Sequence, residues 1–86
     1  MLEERLHSGP RERERVVFCL RELRVARAHV QTARYDATLR WKKDVLRAEL
    51  LTALESYAAA ITQLGAPVPH RLRIEIDLYR GLQKHA

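Results

Sequence analysis

The sequence predicts an all-α protein: a long antiparallel helical hairpin, or one continuous long helix, plus a short C-terminal helix, with the bundle completed by oligomerisation. Three observations predict it. From Arg11 to Leu64 the chain contains neither glycine nor proline, the two residues that most often interrupt helices. Within that run, apolar residues recur three or four positions apart, the spacing of one buried helical face. A stop signal, Gly65-Ala-Pro-Val-Pro69, then separates a second amphipathic segment.

The elements follow in order. Met1–His7 is short and charged and is expected to fray or form one loose turn. Ser8 or Gly9 can cap the helix that follows, and Pro10 suits its first position, where a missing N–H costs nothing. Glu12 and Glu14 then favour the positive end of the helix dipole. An early stripe runs Val16, Cys19, Leu20, Leu23, Ala26, Val30, Ala33, Ala37, and a later one Leu46, Leu50, Ala53, Leu54, Tyr57, Ile61, Leu64. At about 100° per residue, a straight helix would place the two stripes on nearly opposite sides.

Two arrangements explain that slip. In one, the chain turns between about Tyr35 and Asp44, Asp36 or Thr38 caps the second helix, and helices over about 10–35 and 38–64 fold into a hairpin. In the other, one helix continues and shows its two faces to different partners. Trp41, Val45 and Ala48 prolong the early face and the turn lacks Gly or Asn, which both favour continuity. A rod of that length would span about 80 Å with no fold of its own. The hairpin is the preferred expectation.

The tail is ambiguous. Leu72, Ile74, Ile76 and Leu78 alternate with charged residues as a strand would. A lone strand leaves its backbone groups unpaired unless a second chain supplies a mate. A helix over about 69–83 places Leu72, Ile76 and Tyr79 on one side, with Arg71–Glu75 and Arg73–Asp77 four apart, and is preferred. Residues 1–86 are read as one helical domain.

Composition narrows the function. Hydrophobic residues make up 47% and charged residues 31%, which suits a folded chain. At this length the buried fraction of surface is only roughly 60–65%, so a homodimer is expected to supply missing core. One cysteine, Cys19, precludes an internal disulfide, and with no apolar run long enough for a membrane and no leader pattern the expected location is cytoplasmic.

No catalytic reading finds candidates. The four histidines are scattered, no metal-spaced motif or phosphate-cradling glycine loop occurs, and no cofactor or metal is expected. Asp44, flanked by Arg40 and Arg47 at helical spacing, reads as part of an intrahelical ion-pair ladder. The expected role is a non-catalytic protein–protein interaction module, an adaptor or regulatory subunit. Its contacts would come from Val16, Leu20, Leu23, Val30, Trp41, Leu46, Leu50, Leu54, Tyr57 and Ile61.

The rival expectation is a small basic DNA- or RNA-binding regulator. The net charge is +5, and basic surface gains affinity by releasing phosphate counterions. Arg24, Arg27, Arg34, Lys42 and Lys43 are the candidate contacts. Acidic residues interrupt the cations, however, and no established DNA-binding motif is visible.

Overall fold

The computed structural model describes residues 10–84. The expected fraying of residues 1–9 and a cap from Ser8 or Gly9 lie outside the described residues, as do His7 and His85. The element order is α1 (Pro10–Tyr35), a 3-10 helix (Ala37–Lys42), α2 (Lys43–Leu64) and α3 (His70–Lys84). No strand occurs among the described residues, so the alternating tail is helical.

The hairpin is formed, and Asp36 forms it. Its backbone is extended (φ −120°, ψ 105°), which breaks the α-helical path after Tyr35. Its Oδ1 accepts a hydrogen bond of 3.0 Å from the Thr38 N–H and one of 2.6 Å from the Thr38 hydroxyl. The Asp36 carbonyl also accepts from the Leu39 N–H, at 3.0 Å, closing the tight turn. One acidic side chain thus does the work that Gly or Asn commonly does. A longest extent of 54 Å replaces the 80 Å of a continuous rod.

Gly65 ends α2 in the left-handed region (φ 91°). Its N–H bonds to the Thr62 carbonyl at 3.0 Å, and the Ala66 N–H reaches back to Ile61 at 3.1 Å, the paired bonds of a Schellman ending. The Pro69 carbonyl then receives the Leu72 and Arg73 N–H groups and starts α3.

The core explains the phase slip between stripes. Leu23 and Ala26 from α1, Leu50, Leu54 and Ile61 from α2, and Leu72, Ile76 and Tyr79 from α3 form one buried cluster. Each stripe needs only to face its neighbours in the bundle, so the two need no common phase. Leu54 lies at the centre with 0% exposure. The expectation that Trp41 and Val45 prolong the early buried face is corrected: both are exposed, because the reversal at Asp36 takes them out of α1's phase.

The ion pairs join helices instead of laddering along them. Arg27 reaches Glu75 at 2.6 Å, Arg80 reaches Glu55 at 2.8 Å, and His29 Nδ1 stands 3.9 Å from Glu49. Glu75 therefore serves Arg27, not Arg71, and among the described residues Asp44 forms no ion pair with Arg40 or Arg47. The Arg27–Glu75 contact is two-pronged, with a second hydrogen bond of 3.3 Å from Arg27 Nε, and it links α1 to α3.

Candidate interaction surface

Helix α3 covers one side of the hairpin, and the other side is an open trough between α1 and α2. The trough has a volume of about 1380 Å³, and no α3 residue lines it. Its bulkiest apolar side chains are Phe18 and Val25 on α1 and Val45 on α2, at 59%, 46% and 58% exposure. Ala26, Ala48 and Ala53 line the remainder, along with the buried thiol of Cys19. Small side chains there keep the surface shallow enough for another helix to approach.

Local geometry produces this second surface. Phe18 lies five residues before Leu23 and Val25 two after it, so both project about 140–160° away from Leu23, on neighbouring azimuths. Helix α1 is therefore apolar on more than the side that meets α3. The rim is charged in both senses, with Arg11 and Arg15 against Glu12, Glu14, Glu22 and Glu49.

This placement revises the contact set read from the sequence. Leu23, Leu50, Leu54 and Ile61 are buried within a single copy, where the chain's own helices already occupy them. Val16, Leu20, Val30, Leu46 and Tyr57 are half-buried, with Val30 and Tyr57 packed against the same cluster. Of the ten, only Trp41 is largely exposed, at 74%. A regular stripe at spacing of three and four marks whichever face is buried. It does not distinguish burial by another helix of the same chain from burial by a partner. Phe18 and Val25 were missed because they lie off both stripes, and the only signal was their seven-residue spacing; Val45 reads in the sequence as a continuation of the early stripe.

The cationic candidates divide similarly. Arg27 is held by Glu75, and Arg24 is exposed on α1 and lines neither the trough nor the cavity beside the turn. Arg34 and Lys43 are brought together at the hairpin tip, with Arg47, which the sequence suggests as a partner of Asp44. Lys42 places its Nζ 5.2 Å from the centre of the Trp41 ring.

The Asp36 carboxyl is held below its ordinary pKa by the Thr38 hydroxyl and then by the Thr38 N–H. Among the described residues no three His, Cys, Asp or Glu side chains gather closely enough to hold a metal ion, and no helix is long and apolar enough to cross a membrane. No protein-family model, curated protein or solved structure matches this chain.

Proposed function

We propose that this chain is a non-catalytic helical interaction module that works as a homodimer in the cytoplasm, in an adaptor or regulatory role, and that the α1–α2 trough is the face on which a second copy docks. The observation that carries this reading is the row of large apolar side chains left in water on the side of the hairpin that α3 does not cover. Exposed apolar surface in a continuous trough, rimmed by charge, is the usual mark of an interaction site.

Area and charge favour a second copy as occupant. The trough extends over 18 residue steps on α1, from Arg11 to His29, or about 27 Å at 1.5 Å per residue. Two helices make a face about 20 Å wide, so each copy covers about 500 Å² and a pair about 1,000 Å², the lower edge of specific interfaces. A rim carrying both signs suits a self-complementary pairing, since a strongly acidic or basic partner would call for a single sign.

The test is native mass by light scattering. The wild-type chain should approach twice its 10.0 kDa at micromolar concentration. Replacing Phe18 and Val25 with Asp should return it to a single copy with its helix content intact. A wild-type monomer at high micromolar concentration, or a dimer indifferent to both replacements, overturns the proposal.

A further inference from the structure

The hairpin tip, residues 34–47, is a separate surface, and nothing in the trough accounts for it. Two large aromatic side chains stand in water there, Tyr35 at 82% and Trp41 at 74% exposure. Five cations share the segment, Arg34, Arg40, Lys42, Lys43 and Arg47, against the acids Asp36 and Asp44. Among the described residues none of the five cations is ion-paired. Asp36 is committed to its own turn through Thr38.

Beside the turn is a cavity of about 160 Å³ where Arg34, Lys43 and Arg47 meet the apolar side chains of Val30, Leu46 and Tyr79. Among the described residues no carboxylate lines it. Its volume is that of about five waters, which leaves room for a phosphate group together with water. Three like charges around one cavity repel one another, and an anion seated among them relieves that repulsion. Lys42 stacks over one face of the Trp41 ring, and the exposure of the indole leaves its other face open.

We infer that this tip binds single-stranded nucleic acid, with a backbone phosphate in the Arg34/Lys43/Arg47 cavity and an unpaired base stacked on Trp41. Aromatic platforms beside cations are how proteins hold strands without reading their sequence, because every base has a stacking face and every linkage a phosphate. A duplex keeps its base faces covered, so Trp41 would gain nothing from it. An anionic membrane would instead take up apolar side chains, of which the turn between Tyr35 and Trp41 offers Ala37 and the half-buried Leu39 and the cavity offers Leu78 and Leu82; membrane binding is therefore an outcome of the test.

Trp41 is the sole tryptophan, so its emission reports on this surface directly. Titrating the full chain with oligothymidylate should quench that emission. The logarithm of the binding constant should fall with that of salt concentration with a slope near about −0.7, the value for the one phosphate seated in the cavity. The double replacement Arg34→Ala with Arg47→Ala should weaken binding at least about tenfold and bring the slope toward zero. With a labelled strand, Trp41→Ala should weaken binding about tenfold, while Trp41→Phe retains most of it. Circular dichroism of each variant should match the wild type, since these side chains lie at the surface.

No quenching at about 50 mM salt overturns the inference. So does duplex binding as tight as the strand's with unchanged emission, or a blue shift on phosphatidylserine vesicles without response to the oligonucleotide. The Phe18→Asp variant, which reports on the trough, should bind the strand as the wild type does.

Discussion

Truncating Leu54 and Phe18 separately to alanine distinguishes the inside of this protein from its working face. Leu54 has no exposed surface and belongs to the buried cluster that joins the three helices. Removing its terminal carbons forfeits their transfer from water and leaves a cavity that rigid neighbours only partly fill, so the loss should be about 3–5 kcal/mol. An 86-residue chain has a total stability of about 4–13 kcal/mol, so that single change removes about a quarter or more of it. Phe18 is 59% exposed, so only about 80 Å² of its side chain is covered within one copy. At about 25 cal/mol per Å² its truncation costs the isolated chain no more than about 2 kcal/mol.

Urea denaturation followed by circular dichroism, run at several protein concentrations, separates the two effects. Leu54→Ala should lower the midpoint at every concentration. Phe18→Ala should lower it mostly at high concentration and abolish its dependence on concentration, because what it removes is linkage between folding and pairing. Equal losses from both variants at the lowest concentration would refute the assignment of Phe18 to an outward face.

Two further outcomes follow from the turns. Gly65 holds φ at 91° with nothing within 4 Å of the position a Cβ would take, so Gly65→Ala should cost about 1–2 kcal/mol through backbone strain alone; Gly65→Asn, measured in the same urea titration, should cost less. Asp36 has its pKa lowered in the folded state from an ordinary 3.8, so its contribution to stability is complete above that value and is lost as pH falls through the lower, folded one. Asp36→Asn should therefore flatten the acid limb of the thermal stability profile below about pH 4, and an unchanged limb would remove Asp36 as the clasp of the turn.

Particular residues show what could be read before folding. The absence of Gly and Pro from 11 to 64 predicted the long helices, and the Gly65–Pro69 punctuation placed the break before α3 to within a residue. Asp36 and Thr38 were visible as caps. That they act as one clasp, the aspartate accepting from the threonine, required the backbone path. The tail could not be decided by pattern, since Leu72, Ile76 and Tyr79 satisfy a helix while Leu72 to Leu78 satisfies a strand. Without a partner strand, only the helix satisfies its own backbone hydrogen bonds.

The sequence by itself determined which segments are helical and where they end, because those outcomes depend on neighbours within one or two turns: caps, breakers and the spacing of apolar residues. Tertiary structure alone decided which apolar side chains are spent internally and which remain for another molecule. Leu54 and Phe18 carry comparable hydrophobic weight in the chain, yet α3 lies across the first and away from the second. The same holds for charge: Arg27 became a strut to Glu75, while Arg34, Lys43 and Arg47, drawn from three points along the chain, converge on one cavity. Burial and convergence depend on where distant segments meet, and that meeting is fixed by the reversal at Asp36 and the return of α3.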